Sequence, residues 1–334
     1  MASPNLSEIV TTTLRNRTGK LADNMTKNIA LLNRMNKRGT IKPVSGGRTI
    51  VQELNYAENV TYQRYSGYEV LNISPSDVFT AAEFDWKQAA VNVTISGLEG
   101  DVINTGSEAI IDLLASRISN AEDTMRNGLW ADLYSNGTAS GGKQIGGLQL
   151  LVADDPTTGI VGGINRATWD FWQNQKFQTT SDGGSAASAA NIQGFMNSLY
   201  LKCVRGNDKP DLILADINYY QFYLNSLQAI QRITSDEMGQ AGFTSLKFMD
   251  ADVVLDGFGS GAAGVAGGSA GGCPTNHMYM LNTKYIHWRP HRNRNIVPLE
   301  SVSSINQDAM VKPIVWAGNM TLSNAFLQGV MFQT

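Results

Sequence analysis

Residues 105–137 read TGSEAIIDLLASRISNAEDTMRNGLWADLYSNG, and this stretch decides the fold. Thr105 and Glu108 stand at the spacing of a capping box, in which each side chain accepts the other residue's free backbone N–H. Behind them Ile111, Leu114, Ile118, Ala121 and Met125 recur at alternating intervals of three and four, which lays an apolar stripe along one side of a helix. Asn136-Gly137 supplies a left-handed stop. About 29 helical residues at ~1.5 Å each make a rod of about 43 Å, well beyond the mean helix. Asp112, Ser116, Arg117, Ser119, Asn120 and Asp123 line the other side, so the rod is expected to lie on a surface rather than inside a bundle.

The rest of the composition frames that rod. A chain of 334 residues can bury a sizeable core and divide into two domains. Its net charge of -3 provides no global basic field, which excludes a strongly electrostatic nucleic-acid binder. Charged residues make up 16%, below the usual quarter. A charge-poor surface suits burial against neighbouring subunits, and equally fits an uncharged polar exterior. Cys203 and Cys273 are too few for a disulfide scaffold, which makes a reducing cytoplasm the default. No apolar run approaches membrane-spanning length, and Met1 is followed by polar residues rather than a signal sequence.

In chain order, residues 1–40 form a basic arm in which Leu21, Met25, Ile29, Leu32 and Met35 share a helical face, ended by Gly39 and Pro43. With little core of its own, the arm must pack on the body or on another chain. Val44 to Leu71 reads as a two-stranded hairpin, with Thr49, Ile50, Val51 and Leu54 in one strand and Val60, Tyr62, Tyr65, Tyr68 and Val70 in the other. An isolated hairpin is marginally stable, so this one is expected to lie along a neighbour. Phe84 to Ile95 is a long strand whose alternation changes phase near Ala89-Ala90, which predicts a bulge. Beyond the rod, Leu148 to Val152 reads as a strand and Ala190 to Val204 as a helix. Asp211 to Ala215 is then a strand, Ile217 to Ile233 a helix, and Val253 to Leu255 another strand, an alternation typical of a compact α/β domain. Residues 257–272, almost entirely Gly, Ala and Ser, form a flexible surface loop. Met278 to Trp288 is a strand, Arg289 to Pro298 a basic turn, and Val311 to Phe332 supplies closing strands that return to the first domain's sheet.

Several motifs imitate chemistry. Gly259 to Gly264 satisfies the dinucleotide pattern but is followed by more glycine instead of a helix that could hold a pyrophosphate. Gly267 to Gly271 is a nominal nucleophile elbow without the strand-to-helix turn it needs. Cys273, His277, His287 and His291 have the intervals of a zinc site, yet Pro290 interrupts the second pair and a strand does not bring i and i+4 together. No metal, cofactor or catalytic set is expected. Arg289, Arg292 and Arg294 with the two histidines form the densest basic patch, suited to acidic groups of an adjacent subunit or to DNA phosphates, which need no sequence readout.

Leu21-Ala22-Asp23-Asn24, Gly47-Arg48-Thr49-Ile50, Tyr65-Ser66-Gly67-Tyr68-Glu69, Ala82-Glu83-Phe84-Asp85-Trp86-Lys87-Gln88, Gly146-Gly147-Leu148-Gln149-Leu150 and Trp316-Ala317-Gly318-Asn319-Met320 span nearly the whole chain. With the order of elements, they resemble the major capsid proteins of tailed bacteriophages, the fold named after phage HK-ninety-seven. The resemblance implies an α+β chain with an N-terminal arm (1–43), an extended β-hairpin loop (44–80) and a peripheral domain (81–150) holding a spine helix at 105–136. A central α/β axial domain (151–288) and C-terminal strands (289–334) returning to the peripheral domain follow. It implies a non-enzymatic shell subunit that self-assembles into pentamers and hexamers of an icosahedral head enclosing double-stranded DNA. Its partners would be itself, a separate scaffolding protein, a portal, a possible decoration protein and DNA contacted non-specifically, with no membrane. The location implied is the virion, assembled in the host bacterial cytoplasm. An encapsulin-like compartment shell and a soluble α/β enzyme are the alternatives. The expected inter-subunit contacts are Tyr62, Tyr65, Tyr68 and Arg48 on the loop, Leu21, Met25 and Ile29 on the arm, and Arg289, Arg292 and Arg294.

Some capsids of this kind are cross-linked by lysine-to-asparagine isopeptide bonds from the extended loop. Between Lys42 and Lys87 this chain has no lysine, and a guanidinium stays protonated and cannot replace the amine. Mature particles boiled in detergent should therefore give one band at monomer mass; a ladder that survives reductant would overturn the expectation.

Overall fold

The computed structural model describes residues 29–96, 113–227, 245–256, 272–300, 302–303 and 307–333. Helix α1 (Ala30–Arg38) opens the described chain, followed by β1 (Ile50–Asn55), β2 (Phe79–Phe84), β3 (Lys87–Ser96), the long helix α2 (Leu113–Leu133) and the single turn α3 (Leu148–Leu151). Next come the short pair β4 (Ile160–Val161) and β5 (Ile164–Asn165), then β6 (Gln175–Gln178), α4 (Ile192–Lys202), β7 (Leu212–Ala215) and α5 (Ile217–Ser226). The remaining strands are β8 (Ser245–Phe248), β9 (Ala251–Leu255), β10 (His277–Leu281), β11 (Ile286–Pro290), β12 (Val297–Pro298), β13 (Val302–Ser303), β14 (Ala309–Leu322) and β15 (Gly329–Phe332).

Two sheets carry the architecture. A six-stranded mixed sheet runs β6-β15-β10-β7-β9-β8, with β15–β6 and β7–β9 parallel and the other pairs antiparallel. Its central strands are buried on both faces, which is why they read as continuous apolar runs rather than as alternation. Ile213 and Ala215 of β7 face a layer formed by α4 and α5, with Met196, Leu199, Tyr219 and Tyr223. Leu212 and Leu214 face the opposite way, into a larger cluster with Leu31 and Met35 of α1, Met125, Leu129 and Leu133 of α2, and Trp288 and Trp316 of the second sheet. That second sheet is built on β14, which pairs with β11, β12, β13 and, over ten residues from Ala309↔Ser96 to Gly318↔Lys87, with β3.

The stripe on the long helix is legible where it is described. Ala121 and Met125 are buried and the stripe continues through Leu129 and Leu133, while Ser119 and Asn120 are exposed. Thr105, Glu108 and Ile111 lie outside the described residues. The helix ends at Leu133, three residues before the expected stop; Asn136 instead bridges Gly146, with Gly137 left-handed at φ 76°. Arg117, expected among the solvent-facing residues, donates to the Thr94 carbonyl and ties α2 to β3.

Several sequence expectations need correction. The extended loop is not a hairpin between Thr49–Leu54 and Val60–Val70: β1 pairs with β2, from Ile50↔Phe84 to Asn55↔Phe79, and no strand lies between them. Phe84 to Ile95 is not one bulged strand, because the chain leaves one sheet at Phe84 and enters another at Lys87. Leu148 to Val152 is a helical turn, and Met278 to Trp288 is two strands separated by a turn at residues 282–285. Within the closing segment, β15 does not return to the sheet of β3; it inserts between β6 and β10. The glycine-rich stretch 257–271 lies outside the described residues, as do residues 1–28.

The arm helix is integrated with the body rather than laid over it. Leu31 and Met35 are fully buried, and Arg34, at 7% exposure, sits between two buried carboxylates. Arg34 Nε donates to Asp211 at 3.0 Å and Nη1 lies 3.5 Å from Asp252, while Arg38 Nη2 reaches Asp211 at 3.2 Å. Breaking a buried ion pair by removing one partner costs about 3–5 kcal/mol, because the other charge is left uncompensated. Arg34→Ala should lower unfolding stability in that range by chemical denaturation; a loss under about 1 kcal/mol would show that the cluster is relaxed in solution.

A second buried carboxylate joins α2 to the central sheet. Asp256, just past β9, accepts from Trp130 Nε1 at 3.1 Å and from the Tyr134 hydroxyl. Burial raises its pKa to about 6, against the lowering effect of those two donors. Between pH 4 and 6 the folded chain then holds a proton that the unfolded chain has released. Stability should rise as pH falls through that window, by up to about 1.4 kcal/mol per pH unit, and the gain is lost again above the folded pKa. Asp256→Asn should flatten this part of a plot of stability against pH; an unchanged slope would assign it to other groups.

Candidate interaction surface

The alternation in β1 and β2 anchors a long excursion. Ile50, Leu54, Ala82 and Phe84 point into the main core, and Tyr56 N–H donates to Val78 O at 3.1 Å, closing the base. Trp86 Nε1 donates to Gly47 O at 2.9 Å and Arg289 Nη2 to Gln52 Oε1 at 3.0 Å, fixing the two sides of that base. Beyond it the chain makes only local bonds. Asn59 Oδ1 accepts from Thr61 N–H and from Ser76 Oγ, Gln63 Nε2 donates to Val70 O, and Ser66 N–H donates to the Glu69 carboxylate. The last two close a compact tip around Gly67, whose φ of +60° suits glycine.

On this scaffold the apolar side chains pack on none of the described residues. Tyr62, Tyr65, Tyr68, Val70 and Ile73 are 81%, 65%, 107%, 92% and 92% exposed. A tyrosine can bury about 150–250 Å² against a partner, so three of them with their apolar neighbours reach the ~800 Å² that one side of a standard interface covers.

The remaining candidates fall in different places. Leu21 and Met25 lie outside the described residues, whereas Ile29, at the start of α1, packs partly buried against this chain's own core. Arg289 is half-buried at the loop base, which separates it from Arg292 and Arg294. These two are exposed in the turn after β11, where Arg292 N–H donates to Val44 O and Ala317 N–H to Arg294 O. Arg48 is exposed on the segment that follows the same edge, and none of the three makes an ion pair with a described carboxylate.

The four spaced Cys and His residues do not converge. The Cys273 thiol donates to His277 O, and His277 Nε2 lies 3.1 Å from Asp154. His287 and His291 belong to the other sheet, with His287 Nε2 3.2 Å from Ser323 Oγ and the His291 ring against the edge of Trp86. Burial pushes the Cys273 thiol well above its ordinary pKa, the wrong direction for a metal ligand or nucleophile. Among the described residues, no group of three or more His, Cys, Asp or Glu is placed to hold a metal.

Two features escape a reading of the sequence. The Arg34–Asp211 pair joins residues 177 apart and carries no local signal. The aromatic cluster of Tyr56, Trp169, Phe171 and Trp172, with ring centroids 5.7–6.0 Å apart, forms a wall at the loop base. The dense run Trp169-Asp170-Phe171-Trp172 is the signal that could have marked it.

No protein-family model and no curated protein matches this sequence. Solved structures do match along the whole chain. The capsid of Cyanophage A-1(L) aligns with a TM-score of 0.67 at 16% identity, over 96% of this chain and 97% of that one. The capsid of Cyanophage P-SCSP1u aligns at 0.55 and 10% identity, over 97% and 94%. The SrpI encapsulin from Synechococcus elongatus aligns at 0.56 and 9% identity, over 98% and 95%. The chain has the α+β fold of tailed-phage capsid subunits, the phage HK-ninety-seven-type fold.

Proposed function

We propose that this chain is the major capsid protein of a tailed bacteriophage, a shell subunit that self-associates into pentamers and hexamers of an icosahedral head around double-stranded DNA. The observation that carries the reading is the loop of residues 56–78, which gathers exposed tyrosines and aliphatic side chains, Tyr62, Tyr65, Tyr68, Val70 and Ile73, on one excursion from the body. Burial against a second copy removes that surface from water. The sheet built on β14 and helix α2 take the role of the peripheral domain, and the six-stranded sheet that of the axial domain at a capsomer centre. Tyr62, Tyr65, Tyr68, Arg48, Arg292 and Arg294 are the proposed inter-subunit contacts. Arg289 acts within its own subunit by holding the loop base. A scaffolding protein, a portal and a decoration protein are the further partners, DNA is contacted without sequence preference, and assembly takes place in the host cytoplasm before the subunit becomes part of the virion. The role is structural, without catalysis. The likeness to an encapsulin supports a second reading, a compartment shell around cargo protein.

Electron microscopy of the purified full-length protein, with its scaffolding protein if it has one, tests both readings. Closed particles holding nuclease-protected DNA support the phage head, and particles holding protein cargo support the compartment. A single folded species near 36.2 kDa at high concentration would overturn both. The variant with Tyr62, Tyr65 and Tyr68 all changed to Ser should keep its unfolding stability within about 0.5 kcal/mol per site, as surface changes do, and lose assembly.

A further inference from the structure

The loop base carries a groove that none of the described residues fills. One cavity of about 470 Å³ is walled by Leu54, Tyr56, Phe171, Val204, Arg205 and Phe326, among others. A second, of about 600 Å³, shares Asn55, Tyr56 and Arg205 with it and runs on toward Val78. Both volumes lie in the range of sites that take a few side chains. The floor is aromatic, with Tyr56 and Phe171 rings 5.7 Å apart, and Phe326 is 41% exposed along the wall. Arg205 is the cation on the lip. It is exposed, its backbone pairs with Asp208, and its guanidinium makes no ion pair with a described carboxylate. Glu58 also lines the second cavity but lies outside ion-pair distance of it.

The site therefore fits an exposed aromatic or aliphatic side chain next to a carboxylate. One described stretch of this chain presents that combination away from its body: the tip at Tyr65-Ser66-Gly67-Tyr68-Glu69-Val70-Leu71. Tyr68 and Val70 are almost wholly exposed, and Glu69 is held in place by the Ser66 N–H while meeting no cation among the described residues. With about eleven residues in each limb, the tip can stand up to roughly 36 Å from its base. We propose that the loop tip of one copy docks in the loop-base groove of a second copy, with Tyr68 on the Tyr56–Phe171 floor and Glu69 paired with Arg205. The inference rests on the shell reading and deepens it by naming where the loop lands. Tip and groove are different patches of one chain, so the contact is head-to-tail and closes into rings where the rotation permits.

The test uses the full-length protein. Glu69→Arg and Arg205→Glu should each raise the lowest concentration at which assemblies sediment by about tenfold, which corresponds to about 1.4 kcal/mol per contact. The two combined should return within about threefold of wild type. A combined variant as impaired as either single one, or single variants that assemble like wild type, would overturn the groove assignment while leaving the shell reading intact. A wild-type chain that never assembles would overturn both. As an independent measurement, Glu69→Cys with Arg205→Cys, treated with a short bis-maleimide, should give a ladder of linked subunits absent from either single-cysteine variant; the native Cys203 and Cys273 are buried. Linkage confined to the monomer band, or no linkage at all, would overturn the docking.

Discussion

The buried carboxylate of Asp211 ties together parts of the described chain that lie far apart in sequence. It stands just before β7 and accepts from Arg34 Nε of α1, from Thr283 N–H at 2.7 Å and from Thr283 Oγ1 at 2.7 Å, with Arg38 also in reach. Asp252 on β9 completes the charge opposite Arg34. Two buried anions and the Arg34 guanidinium between them thus join the first described helix, two parallel neighbours of the central sheet and the turn between β10 and β11. Charges this deep are costly to desolvate, and such a cluster contributes by fixing one arrangement as much as by attraction. What it fixes is the position of α1, and with it the segment that leads to the loop. Ile41 and Val44 bridge to Trp288 and His291 on the edge of β11 before the chain turns into β1.

From that fixed edge the logic of the second sheet follows. Strand β14 is long enough to pair with β3 on one side and with β11, β12 and β13 on the other. It passes Trp316, Met320 and Leu322 into the same cluster that receives α1, the end of α2 and one face of the six-stranded sheet. The main core is therefore shared between the two sheets, and β15 crosses back to the central one. A body built this way transmits position rigidly, because close-packed interiors do not deform smoothly. The loop beyond Tyr56 is the part left free to adapt.

What the sequence made legible was whatever depended on local periodicity. The stripe through Ala121 and Met125 is a property of one helix and appears where expected. Helix α4 is readable for the same reason, and the strand expected at Asp211 to Ala215 and found at Leu212–Ala215 is readable as a short continuous apolar run. The errors arose where one pattern has two structural causes. A phase change in alternation can mark a bulge or a strand that changes sheets, and the chain takes the second course at Asp85-Trp86, where Asp85 O accepts from Asn319 Nδ2 in β14. The short apolar run Leu148 to Val152 fits a strand or a buried turn of helix equally well. Here the helical turn closes, with the Leu151 N–H donating to Gly147 O and the Val152 N–H to Leu148 O, and Gly147 before it lies so near the end of α2 that a Cβ would meet the Leu133 and Asp132 carbonyl oxygens at 2.5 and 2.4 Å. The groove was not legible because it brings together residues near 55, 171, 205 and 326, which only the fold makes neighbours.

The loop also shows why an exposed apolar strip need not be an aggregation hazard. Val60, Tyr62, Tyr65, Tyr68 and Val70 would, as a paired strand, present an open edge of N–H and C=O groups ready to template another chain. They are held out of strand geometry by side chains that compete for the backbone: Asn59 takes the Thr61 N–H, Glu69 the Ser66 N–H and Asn72 the Ser74 N–H, while Gln63 donates to the Val70 carbonyl. Such local bonds offer the backbone an alternative to a ladder. The irregularity that defeated a hairpin reading is thus a physical feature with a use. It leaves the apolar side chains exposed while the N–H groups of Thr61, Ser66 and Ser74 and the Val70 carbonyl are bonded within the loop and withheld from a ladder with another chain.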